Sequence, residues 1–210
     1  MIPFHENQLI SLILLLSGLY LAVTVAVQNA RMITELDLTI GEWILSKDRP
    51  LLHRIFEGAT FLGTFNVIKF GTLAAGLVLV ALRDWSGAVL LLVLVAGTTI
   101  LNRYLKRIFP RIRPNYPANY LYNVDLSYPS GHTMLATAFY GMLAYLAWIH
   151  TGGSILGVIL IVLLGLLIVL VGFSRVYLGF HFLTDVLGGW IAGFLFLLIA
   201  ILAHSYWMTL

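Results

Sequence analysis

The chain has 210 residues, of which 60% are hydrophobic and 10% charged, with a mean hydropathy of +0.97. That balance excludes an ordinary soluble domain and defines an all-α integral membrane protein, whose helices join through close packing and internal polar contacts in a solvent that is itself apolar. Cysteine is absent, which rules out disulfides, thiolate metal sites and a cysteine nucleophile, and the net charge of +3 matters less than where the bases sit.

Residues 1–8 carry His5 and Glu6 but no Lys or Arg, so the basic segment of a cleavable signal peptide is missing and the first apolar run is expected to be retained. Residues 9–27 are uncharged, and at about 1.5 Å per residue they match a hydrocarbon core of roughly 30 Å. Residues 28–64 mix Arg31, Lys47, Arg49 and Arg54 with Glu35, Asp37, Glu42, Asp48 and Glu57. Ile33, Leu36, Ile40, Trp43 and Ile44 recur there at near-helical spacing, which predicts an amphipathic segment lying at the membrane interface; a solvated connecting loop is the alternative.

A second span is predicted at 65–82, a tight turn at Arg83-Asp84, and a third span at 85–101. Lys69, near one end of the second, reads as a lysine that snorkels to the interface. Residues 102–132 form a basic loop with Arg103, Lys106, Arg107, Arg111 and Arg113, in which Pro110, Pro114 and Pro117 limit helix. Tyr116, Tyr120 and Tyr122 follow and read as interfacial aromatics. Spans at 133–149, 155–173 and 184–203 bring the predicted total to six, in a single domain covering 1–210. Gly189 and Gly193 are four apart, a pattern that marks close helix packing.

Loops 102–132 and 174–183 are separated by two crossings, so they lie on the same membrane face and their polar groups can meet. Those groups are Lys106, Arg113 and Pro114; Pro129, Ser130, Gly131 and His132; and Ser174, Arg175, His181 and Asp185. Lys106, Arg113 and Arg175 supply three cations suited to a phosphate. Ser130 and the amides near Gly131 add donors at the positive end of a helix, where glycine lets the backbone approach a ligand closely. His181 and Asp185 are four apart, a spacing at which a carboxylate can hold an imidazole and leave its second nitrogen to attack phosphorus. His132 is then the natural general acid for the leaving alkoxide and base for the water that follows. Two histidines and an aspartate also suit a metal, although three nearby cations oppose one. An anion transporter is a further reading, against which the fourth and fifth spans carry no mid-span charge.

These eleven positions resemble the three signature motifs of the type 2 phosphatidic acid phosphatase superfamily. The resemblance implies metal-independent hydrolysis of a phosphate monoester or diphosphate through a phosphohistidine at His181, with Asp185 orienting it and His132 as the acid. Lys106, Arg113, Ser130, Gly131 and Arg175 would bind the phosphoryl oxygens, and no cofactor is implied. The expected substrate is a membrane lipid such as phosphatidylglycerophosphate, phosphatidic acid or undecaprenyl diphosphate, and a nucleic-acid partner is not expected. The resemblance also implies a cell-membrane protein with an extracytoplasmic site. Loop charges point the other way, since ten Lys and Arg lie on the face of the site against Arg83 on the opposite face.

Overall fold

A segment in lipid must satisfy its own backbone, so the uncharged runs become helices. The computed structural model describes residues 6–47, 49–114 and 126–207. Within them run α1 (Glu6–Asn29), α2 (Arg31–Leu45), α3 (Pro50–Leu62), α4 (Phe65–Ala81), α5 (Trp85–Ile108), α6 (Gly131–His150), α7 (Ile155–Tyr177) and α8 (Leu183–Trp207). No strand occurs among the described residues. Asp48, Tyr116, Tyr120 and Tyr122 lie outside them.

Helices α1, α5, α7 and α8 are each long and apolar enough to cross a membrane, and α3 with α4 qualify as a pair bent by 53°. The predicted second span corresponds to α4, whose 17 residues reach about 25 Å on their own. The predicted fourth span corresponds to α6, where Thr133, Thr137, Tyr140, Tyr145 and two terminal histidines dilute the apolar character. This most buried helix spends its polar groups on neighbours: the Tyr140 hydroxyl donates to the Leu62 carbonyl at 2.8 Å, and Tyr145 meets His204 of α8 at 3.0 Å.

Two predicted loops are shorter than expected. Residues 102–108 continue α5, because no proline interrupts the helix before Pro110, and so Arg103, Lys106 and Arg107 project from a helix. Residues 174–177 likewise complete α7. Gly179 then takes φ 72°, a left-handed turn open to glycine, and the Phe180 and His181 amides both return to the Arg175 carbonyl, at 2.9 and 3.0 Å. The chain thereby reverses into α8 and turns His181 inward.

Helix α6 sits at the centre, against α5, α7 and α8, and α1 closes over α8. The small residues at 189 and 193 make this possible. A Cβ on Gly189 would lie 2.8 Å from the Ser130 carbonyl oxygen, and one on Gly193 2.7 Å from Thr137 Cβ. Gly189→Ala is therefore expected to cost about 1–3 kcal/mol, because backbone cannot yield as a side chain can. Thermal unfolding in detergent checks this, with Gly76→Ala, whose Cβ meets nothing within 4 Å, expected to unfold no earlier than the parent.

Candidate active site

The end of α5, the turn entering α6 and the turn entering α8 converge, a meeting that the parity of the predicted crossings allows. Ser130 is the N-cap of α6, and its own amide donates to the Asp185 carbonyl at 3.0 Å, joining two of the three polar groups through backbone. Its buried hydroxyl accepts from Thr133 at 2.9 Å. Just before it, Tyr128 is fully buried between α1 and α8, with its hydroxyl 2.8 Å from that of Thr24 and its ring stacked on Tyr20.

A cavity of about 300 Å³ opens at this junction, and Lys106, Arg113, Gly131, His132 and His181 all line it. Lys106 donates to the Leu126 carbonyl and Arg113 to the Phe180 carbonyl at 3.3 Å, contacts that hold both cations against the wall. Ser130, Arg175 and Asp185 are buried behind that wall. The Arg175 guanidinium donates to Thr60 of α3 at 2.5 Å and lies 4.2 Å from the Phe180 ring centre, so its charge reaches the cavity from the rear.

His181 Nδ1 lies 3.4 Å from Asp185 Oδ2 and 3.2 Å from the Ser127 hydroxyl, which itself donates to the same carboxylate oxygen. The Phe182 amide adds a third group at 2.9 Å from that oxygen. With Nδ1 so engaged, Nε2 is the nitrogen on the cavity side. His181 sits in the turn between α7 and α8, and burial pushes its imidazole down to about 4, with Asp185 resisting and Arg175 and Arg113 adding to the push. At neutral pH the ring is uncharged and chemically competent to attack or accept a proton.

Four residues of the site were not legible as such in the sequence. Ser127 lies three positions before Ser130 and carries no distinguishing spacing. Asn102 lines the cavity one helical turn before Lys106 and donates to the Pro129 carbonyl at 3.3 Å. A Cβ on Gly131 would come within 2.9 Å of Asn102 Oδ1, which gives that glycine a packing role as well. Arg111 and Asp37 form a buried ion pair at 2.8 Å, and Arg111 pairs with Asp185 at 2.8 Å too. Asp37 did leave a signal: it occupies the same helical face as Ile33, Ile40 and Ile44, a carboxylate in the middle of an apolar stripe.

An all-helical bundle with a cationic cavity holding two histidines is the architecture of a membrane phosphatase, and the comparisons agree. The model of the PAP2 superfamily matches residues 87–209. Phosphatidylglycerophosphatase B of Bacillus subtilis (strain 168) is 34% identical over 181 residues, covering 84% of this chain and 87% of that protein. A putative undecaprenyl-diphosphatase, YbjG, of Escherichia coli (strain K12) is 38% identical over 91 residues, 41% of either chain. Among solved structures, the transmembrane PAP2 type phosphatidylglycerolphosphate phosphatase from Bacillus subtilis superposes with a TM-score of 0.85 at 28% identity, covering 94% of this chain and 96% of that one. LpxE of Aquifex aeolicus follows at 0.63 and 25% identity, over 79% and 94%. The chain belongs to the PAP2 superfamily. It is a multi-pass membrane protein and a phosphatase.

Proposed function

We propose that this PAP2 lipid phosphatase removes a phosphoryl group from a membrane lipid phosphate or diphosphate by way of a phosphohistidine and without a metal. The observation that carries the reading is one cavity lined by His132, His181, Lys106 and Arg113, with a buried carboxylate engaged on the far nitrogen of His181. Nε2 of His181 attacks phosphorus, the phosphorus–oxygen bond to the lipid breaks, and His132 gives its proton to the departing oxygen. Water then gives a proton to His132 and attacks phosphorus, the phosphorus–nitrogen bond breaks, and inorganic phosphate leaves. Lys106, Arg113 and Arg175, with Ser130 and the Gly131 backbone, balance the charge that builds on the phosphoryl oxygens.

A lipid substrate is favoured by an apolar groove of about 280 Å³ between α4 and α5, which shares Phe65 and Thr99 with the wall of the charged cavity. A headgroup in the cavity can thus keep its hydrocarbon chain in apolar surroundings. In this reading the protein is one domain, and α1, α4, α5, α6, α7 and α8 are six spans. Helices α2 and α3 lie at the interface. Met32, Leu36 and Trp43 are exposed on α2 while Asp37 and Gly41 are buried, an inside-out distribution that suits a lipid surroundings. The site faces the outside of the cytoplasmic membrane, with several of its loop cations engaged in the cavity and its supports rather than acting as topology signals.

The test is phosphate release from phosphatidylglycerophosphate, phosphatidic acid and undecaprenyl diphosphate in nanodiscs. Hydrolysis of at least one, undiminished by chelator and inhibited by vanadate, is the expected result. Activity lost to chelator and restored by zinc would replace this mechanism with a metal one. Anion flux into proteoliposomes with no hydrolysis of any of the three would make the protein a transporter.

A further inference from the structure

We infer that Arg111 and Asp37 form a positioning relay that holds the Asp185–His181 pair in place, and that Arg111 does not bind phosphate although it lies between Lys106 and Arg113 in sequence. This rests on the mechanism proposed above.

The two ends of the Arg111 guanidinium are committed to different partners. Nη1 donates to Asp185 Oδ1 and to the Thr184 hydroxyl, each at 2.8 Å, and Nη2 donates to Asp37 Oδ2 at 2.8 Å. Its Cζ lies 4.2 Å from the Phe182 ring centre, which fixes the plane of the group. Asp37 in turn accepts from the Thr184 amide at 3.1 Å and from the Thr184 hydroxyl. The side chains are 9% exposed for Arg111, 1% for Asp37 and 0% for Asp185, so the pairings are shielded from water and salt. Arg111 does not line the cavity.

The arrangement divides the Asp185 carboxylate. Oδ1 belongs to Arg111, while Oδ2 is shared by the Phe182 amide, the Ser127 hydroxyl and His181 Nδ1. Rotation of the carboxylate, which would release His181, breaks bonds on both oxygens. A planar fork with parallel donors suits this task, whereas a lysine is a single point charge. Asp37 completes the fork from α2, so a helix distant in sequence from every signature residue supports the first turn of α8. Arg111 is a positioning residue in this scheme and acts through Asp185.

Charge supplies a readout that packing alone would not move. The groups facing His181 are Asp185 from α8, Arg175 from α7, His132 from α6, and Lys106 and Arg113 from α5 and the segment after it; Arg111 stands behind Asp185, and Asp37 of α2 behind Arg111. Removing the Arg111 cation leaves the negative field of Asp185 less balanced, which favours protonation of His181. Removing the Asp37 charge does the reverse.

The experiment is steady-state kinetics from pH 3.5 to 8 on whichever lipid the wild-type protein hydrolyses, with Arg111→Gln, Asp37→Asn, the double variant, Arg111→Lys, and Arg113→Gln for comparison. Arg111→Gln is expected to lower kcat about 10- to 100-fold, the loss a misplaced catalytic group brings, with KM nearly unchanged. Arg113→Gln instead raises KM. The double variant should lose little more than Arg111→Gln, because both residues act along one chain of contacts. Arg111→Lys recovers part of the loss. The substrate's own ionisation, at about pH 6 for a phosphate monoester, is common to all variants. The lower step of the acid limb moves up in pH for Arg111→Gln and down for Asp37→Asn. A rise in KM at unchanged kcat makes Arg111 a phosphate ligand and overturns the relay, as do additive losses with unmoved acid limbs. If Arg111→Gln does not fold, the nearly isosteric Asp37→Asn decides, and unchanged kcat with an unmoved limb overturns the relay. Wild-type protein inactive on all three lipids overturns the parent mechanism instead.

Discussion

His181→Ala is expected to release inorganic phosphate from its lipid substrate at the uncatalysed background rate. The covalent route needs a nucleophile at this place, and removing such a group from an enzyme costs on the order of 10⁶-fold in kcat. Binding is expected to survive, since Lys106 and Arg113 stay on the cavity wall and Arg175 stays behind it. The variant should therefore still bind vanadate or a lipid phosphate while failing to turn it over. The check is phosphate release by purified protein that elutes as a single species in detergent, together with a thermal shift on adding vanadate. Wild-type turnover in that folded variant would remove His181 from the chemistry altogether.

His132→Ala is expected to lose about 10²- to 10⁴-fold in kcat on a lipid alcohol leaving group, the range for a positioned general acid. The loss has a diagnostic dependence on the leaving group. A lipid alkoxide needs a proton as it departs, whereas a nitrophenolate does not, so phosphorylation by p-nitrophenyl phosphate should be nearly normal in the variant. Hydrolysis of the phosphoenzyme still needs a base to activate water. An acid-labile phosphate should therefore accumulate on His181 during turnover of the aryl substrate, visible as an intact-mass increase that disappears on acid treatment. An equal loss on lipid and aryl substrates, with no phosphoenzyme, would assign His132 to binding rather than proton transfer.

The broad plan of the chain was readable from local patterns. Each predicted span corresponds to a helix, because an apolar stretch with at most one charge and no proline over some twenty residues has few alternatives in lipid. Counting the predicted crossings allows the two polar loops to meet, and the Ser130 amide on the Asp185 carbonyl joins them. Helix ends were less legible. Lys106 and Arg175 were read into loops and stand on helices, since a charged residue at a span end is equally compatible with one more helical turn. Residues 28–64 read as one segment in the sequence and form two helices, with Pro50 opening the second.

What the sequence by itself determined is the chemistry available at one end of the bundle: three cations, a helix start, two histidines and an aspartate whose spacings recur in one superfamily. Tertiary structure decided which charges face the cavity and which are spent on one another. Arg111 and Arg113 differ by two positions and share a loop, yet one lines the cavity and the other is locked between Asp37 and Asp185. The physical reason is that an ion pair's partner is set by distance in space. Asp37 and Arg111 are separated by 74 residues and meet at 2.8 Å, and no periodicity along the chain encodes that approach.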